Sequence, residues 1–183
     1  MRRGAFLLHR RARDWQRRPA SRRRGRGEVI VPSNVIALPI GLHWRVLIAH
    51  RRHDVRDALR TLIEAENVAI VEAADGDAAL AELERMRFDL LVLELDLPLK
   101  DGISVMQLHR VLLAHERIPV EPPAVIFTLA PEVRGVTTLT DHLRSLGVAG
   151  LIDDAPRADV ARLVEEILHA RAAGRIAGKP AAA

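Results

Sequence analysis

The 183-residue chain has no cysteine and no tyrosine, and aromatic residues make up only 3% of it. Without cysteine there is neither a disulfide nor a thiolate metal site, and the redox compartment is left open. A hydrophobic fraction of 49% with so few aromatics implies an aliphatic core of Leu, Val, Ile and Ala. Also missing are a Gly-rich phosphate loop, a serine nucleophile elbow and a pair of catalytic acids. With no catalytic constellation in view, the chain is expected not to be an enzyme. The eight histidines are scattered, and only His50 and His53 stand at metal-ligand spacing, beside Arg51 and Arg52. No metal is expected there.

Acid is the next scarcity, and it is local. Residues 1–27 hold eleven arginines against a single acid, Asp14, a balance of +10; the whole chain is +4, so the remainder carries −6. The pI near 10.7 therefore belongs to this segment and not to the rest of the chain. Such a block, punctuated by Pro19, Gly25 and Gly27, is expected to be a disordered, self-repelling tail. Nucleic acid or an anionic membrane surface would bind it through counterion release. Trp15 alone offers little base stacking, and a merely solvated tail is the plainer alternative.

Residues 28–43 read as a linker. Ser21-Arg22-Arg23 precedes an apolar stretch at 29–42, faintly like a twin-arginine signal. Glu28, Pro32 and Pro39 interrupt it, and no small-x-small cleavage site follows. Fourteen residues are also too few to span a bilayer. Neither a signal nor a membrane span is expected, and the location expected is cytoplasmic.

From residue 44 the pattern is regular. WRVLIAH at 44–50 is a short apolar strand, and Val55, Leu59, Leu62 and Ile63 then mark one face of a helix. NVAIVEA at 67–73 gives a second strand, and Asp75-Gly76 opens a helix bearing Ala79, Leu80 and Leu83. The third strand, 89–94, runs into Glu94 and a helix from about Ile103 to His115. AVIFTLA at 124–130 is the fourth strand, before a helix with Val136, Leu139, Leu143 and Leu146 that Gly147 ends. AGLI at 149–152 and a helix through Val160, Leu163, Val164, Ile167 and Leu168 complete a fivefold βα repeat. The Ala/Gly-rich residues 172–183 read as a flexible tail. Strands that are continuously apolar and alternate with helices imply one parallel sheet covered on both faces.

Two stretches carry a resemblance. VEAADGDAAL at 71–80 and the spaced set Glu94, Pro98, Asp101 and Gly102 are similar to the receiver domain of two-component response regulators. The similarity covers residues 44–171. It implies a single α/β domain, a flavodoxin-like doubly wound sheet of five strands in the order 2-1-3-4-5 with five helices. Its site is expected at the carboxyl ends of the strands. In that family two acids after strand 1 hold Mg²⁺, and an Asp ending strand 3 accepts a phosphoryl group from a histidine kinase. A Thr or Ser ends strand 4, and a Lys-Pro pair follows strand 5. Phosphoryl transfer is mostly positioning and charge neutralisation, which is why metal, carboxylate and cation occur together.

Carried over by position, little of that set remains. The acid pair falls on His50 and Arg51, and the lysine falls on Asp154. The hydroxyl position falls on Leu129, with Thr128 one residue early and expected to point away from the pocket. The phosphoacceptor-equivalent position is Glu94, four residues before Pro98 and eight before Gly102; Asp96 meets neither spacing. The resemblance thus implies a degenerate pseudo-receiver with Mg²⁺ binding lost and no cofactor. An Arg51 pairing with Glu94 or Asp154 would supply the missing cation. Mimicry of a charged, activated state by Glu94 stays open, with about one negative charge against nearly two for a phosphoryl group. A stand-alone signalling protein follows, with a protein partner such as a histidine kinase as its target. The alternatives are a nucleic-acid binder working through residues 1–27, and a phosphoacceptor using Asp96.

Overall fold

The computed structural model describes residues 42–115, 121–133, 136–153 and 157–177. The Arg-rich residues 1–27, most of the 28–43 linker and Asp154 lie outside the described residues. Five strands alternate with five α-helices: β1 (Trp44–Ala49), α1 (His53–Ile63), β2 (Val68–Ala73), α2 (Gly76–Arg85), β3 (Leu90–Glu94), α3 (Gly102–Ala114), β4 (Ala124–Thr128), α4 (Thr137–Ser145), β5 (Gly150–Ile152) and α5 (Arg157–Ala177). All strand pairs are parallel, in the order β2-β1-β3-β4-β5. That is the parallel sheet expected from the alternating pattern, in the doubly wound order that the resemblance implies.

Strand periodicity divides the core into two clusters. Trp44, Val46 and Ile48 of β1, Leu90 and Val92 of β3, and Ile126 of β4 face α1 and α5, meeting Leu59, Ile63, Val164 and Leu168. The intervening Leu47, Ala49, Leu91, Leu93, Val125 and Phe127 face α2, α3 and α4, meeting Leu83, Met106 and Leu143. Side chains alternate between faces along a strand, so continuing the same count decides where each site residue points. The core is aliphatic in the main, but three of the few aromatics are buried in it, Trp44, Phe88 and Phe127.

One boundary differs from the sequence reading. The flexible tail assigned from residue 172 is still helix to Ala177, with Ala172 buried against the sheet. Alanine is the strongest helix former, and here it also lies on the packed stripe. At the other end of the domain Leu42, in the segment read as a linker, packs on the α1/α5 cluster, and its carbonyl accepts from Asn67 Nδ2 at 2.8 Å. Gly147 follows α4 at φ 73°, the left-handed ending expected of it.

Candidate functional site

The turns that frame the carboxyl ends of the strands are set by two Asp-Gly pairs. Asp75 caps α2 by accepting from the Ala78 amide at 2.8 Å. Asp101 caps α3, accepting from the Ser104 amide at 2.9 Å and hydroxyl at 2.7 Å. The glycines after them have no room for a side chain. A Cβ on Gly102 would stand 2.5 Å from the Glu94 carbonyl oxygen and 2.7 Å from the Phe127 ring, and one on Gly76 would collide with the Lys100 backbone. The β3–α3 loop is thereby pressed against both helix starts, with the Gly76 amide donating to the Pro98 carbonyl at 3.0 Å. Between them Leu99 is held at φ 67° and is 76% exposed.

Into this frame β1 and β3 deliver His50, Arg51 and Glu94. His50 extends the β1 register through its amide, which donates to the Ala73 carbonyl at 3.1 Å. Glu94 is buried, and both its oxygens are taken by one residue. Oε2 accepts the Arg51 amide at 2.7 Å and Oε1 accepts Arg51 Nε at 2.7 Å. The Arg51 Nη2 group continues to the Asp96 carboxylate at 2.7 Å and also donates to the Asp96 carbonyl. These carboxylates, Asp96 first and then Glu94, hold the guanidinium pKa above its ordinary value. The expected pairing of Arg51 with Glu94 is therefore present, while the alternative through Asp154 lies outside the described residues. Asp96, weighed only as a rival acceptor, enters as the second anchor of the arginine.

His50 has a different task. Its Nδ1 accepts the backbone amide of Arg52 at 3.0 Å, which fixes the proton of the neutral ring on Nε2. Arg52 is the N-cap residue of α1 and makes no side-chain cap bond. Burial keeps His50 below the usual histidine pKa; Glu94, with Oε2 at 3.7 Å from Nδ1, opposes this, and Arg51, Arg52 and Arg56 reinforce it. Arg56 reaches back from α1 to the His50 carbonyl at 2.8 Å. It also shares Glu72 with Arg60, at 3.2 and 2.5 Å. Burial raises the Glu72 carboxyl, and the two guanidiniums outweigh it and hold its pKa low.

Thr128 and Leu129 correct the sequence reading. Thr128 is the register partner of Glu94 across β3 and β4, so the two side chains leave the same face of the sheet. Leu129 packs on the opposite face, against the α2/α3/α4 cluster. The hydroxyl position is thus Thr128. Its Oγ1 is buried without a hydrogen-bond partner.

The metal of the family does not fit these residues. Mg²⁺ requires a near-octahedral set of oxygens. Where the two acids would stand are a neutral imidazole, whose Nδ1 already accepts an amide, and a guanidinium. Glu94 has no oxygen left unbonded. His53 pairs with Asp57 at 3.3 Å rather than with His50. Glu72 lies near that pair, but its oxygens are bonded to Arg56 and Arg60. No helix among the described residues is long and apolar enough to cross a membrane.

Comparison with known proteins agrees with the fold. The family model of the response regulator receiver domain matches residues 46–139. The transcriptional regulatory protein ResD of Bacillus subtilis is 39% identical over 61 residues, 33% of this chain and 25% of that protein. The matched segment thus spans about a quarter of the relative's length. The receiver domain of AraT, a response regulator from Geobacillus stearothermophilus, superposes with a TM-score of 0.62 at 22% identity, covering 73% of this chain and 99% of that one. The receiver domain of a putative LuxO repressor protein from Vibrio parahaemolyticus gives 0.64 at 21% identity, covering 76% and 100%. With half of its residues matched by the family model and every strand in the family's order, the chain belongs to the response regulator receiver domain family of two-component signalling.

Proposed function

We propose that this receiver signals by protein–protein contact without taking up a phosphoryl group, and that it is neither an enzyme nor a Mg²⁺ protein. One observation carries the reading: both oxygens of Glu94 are bonded to Arg51. An acceptor carboxylate needs a free oxygen to attack phosphorus and a metal to gather the charge of the transferring group. Here the Arg51 amide and guanidinium take one oxygen each, and the guanidinium stands in for the metal. The same pairing offsets part of the charge on Glu94, Arg51 being shared with Asp96, which argues against Glu94 acting as a standing mimic of the phosphorylated state. Output then rests on the folded surface and a protein partner, a histidine kinase or another signalling protein, in the cytoplasm. By family resemblance that surface is the one formed by α4, β5 and α5.

The test is incubation of the full chain with a small-molecule phosphodonor and Mg²⁺, read by intact mass, with an aspartate-bearing receiver treated in parallel. The expected result is an unchanged mass for this chain and added phosphate on the control. Phosphate on this chain would overturn the reading. A second reading follows from the arginine excess in residues 1–27, which suits nucleic acid. It predicts duplex binding that weakens steeply as salt is raised and disappears when those arginines are replaced by glutamine.

A further inference from the structure

His50 stands between two partners that demand opposite protonation states. We propose that His50 is an acid-responsive switch that trades the backbone amide of Arg52, at the start of α1, for the carboxylate of Glu94. In the neutral ring Nδ1 is an acceptor, and it holds the Arg52 amide at 3.0 Å. A proton on Nδ1 turns that contact into donor against donor, so the amide must be released. The same proton faces Glu94 Oε2, now 3.7 Å away, about 1 Å beyond a charge-assisted hydrogen bond. One protonation therefore breaks a bond at the start of α1 and forms another in the pocket. It also sets His50 beside Arg51 in competition for the same carboxylate.

The surroundings make the exchange selective. Among the described residues, the charged group facing His50 from β3 is Glu94, while Asp96 of the following loop is held by Arg51. Those from the β1–α1 turn are Arg51 and Arg52, the latter paired with Asp54 at 2.5 Å. Arg56 faces it from α1, with Glu72 of β2 behind, bonded to that arginine. β4 presents Thr128, which carries no charge. Glu94 is the sole carboxylate in this set within 4 Å of the ring. Burial and the arginines hold the ring neutral at neutral pH, which places the transition on the acid side of the ordinary histidine range. The inference rests on the proposed reading in one respect only, that no metal competes for Glu94.

The experiment is an NMR titration of the full chain between pH 7.5 and 5 without Mg²⁺. It follows the His50 ring proton, the Arg51 and Arg52 amides and the Arg51 Nε–H. The expected result is a single midpoint below 6.5 shared by the His50 ring and the Arg52 amide. In His50→Asn an acceptor remains for the Arg52 amide while the titration is removed, so the Arg52 signal should no longer respond. In Glu94→Gln the His50 midpoint should fall further. An Arg52 amide indifferent to pH while His50 titrates would overturn the switch, as would a midpoint unmoved by Glu94→Gln. Because the titration uses neither phosphodonor nor metal, its failure leaves the phosphate reading standing, and phosphate on the protein leaves the titration interpretable.

Discussion

The β3–α3 turn and the β1–α1 turn face the same pocket and are built by different rules. In the first, Asp101 caps the helix and Gly102 sits where a single added carbon would meet the Glu94 carbonyl and Phe127. The β2–α2 turn repeats that design with Asp75 and Gly76. In the second there is neither cap side chain nor glycine. Arg52 begins the helix, and an imidazole two residues away satisfies its amide. The contrast shows that the frame of this pocket is fixed by backbone contact, where no substitute fits. Its electrostatics depend on side chains, and there an arginine and a histidine can stand in for other groups.

The largest effect that would break this contrast is a methyl group on the frame. Gly76→Ala and Gly102→Ala are each expected to lower stability by about 3 kcal/mol or more, because the opposing atoms include backbone that cannot rotate aside. Denaturant unfolding measures it, and a loss under about 1 kcal/mol would mean the loop is looser than described. On the replaceable side, a double-mutant cycle on Arg51→Ala and Glu94→Gln should give a coupling of about 1 kcal/mol. The figure is held down because the Arg51 side chain is 42% exposed. Zero coupling would reduce the clamp to coincidence.

Acid should act next. The pKa of His50 is depressed in the fold, so below the ordinary value the unfolded chain binds the proton more readily. Its contribution to stability is complete above about pH 6.5 and declines as pH falls from there toward the folded pKa. The wild-type minus His50→Asn difference in unfolding free energy should show that slope, and a flat difference would remove it. The smallest effect is a gain. Leu99 at positive φ carries strain that Gly would relieve by about 1–2 kcal/mol, offset by about 0.5–1 kcal/mol of backbone entropy. Leu99→Gly should therefore raise stability slightly, and a loss would assign Leu99 a packing role.

The sequence discloses the elements and the main pair because both follow from local order. Apolar runs at 44–50, 67–73, 89–94 and 124–130 each contain the observed strand, and the spacing from Glu94 to Pro98 and Gly102 places the carboxylate. Strand pairing is a different matter. Whether Thr128 or Leu129 joins Glu94 depends on how β4 slides along β3, and a slip of one residue exchanges the faces. No count along one strand fixes that slide, which is why sequence order alone points to Leu129 when the hydroxyl position is Thr128. The Arg52–His50 bond is equally hidden, since nothing in the residue types HRRH announces that a ring will accept the amide of the residue that begins the helix. Asp96 left a faint signal, a second acid two residues beyond the first at the strand end.

The Arg51 clamp has a consequence for what the pocket can sense. A bound metal ion answers to its concentration in solution and can be removed by dilution or a chelator. A guanidinium carried on the same residue as its anchoring amide has an effective concentration set by the chain, in the range of about millimolar or above. Neither dilution nor chelation empties such a site. On the proposed reading the pocket depends less on the ionic supply around it, and answers to groups that compete for its carboxylates, the protonated His50 ring among them.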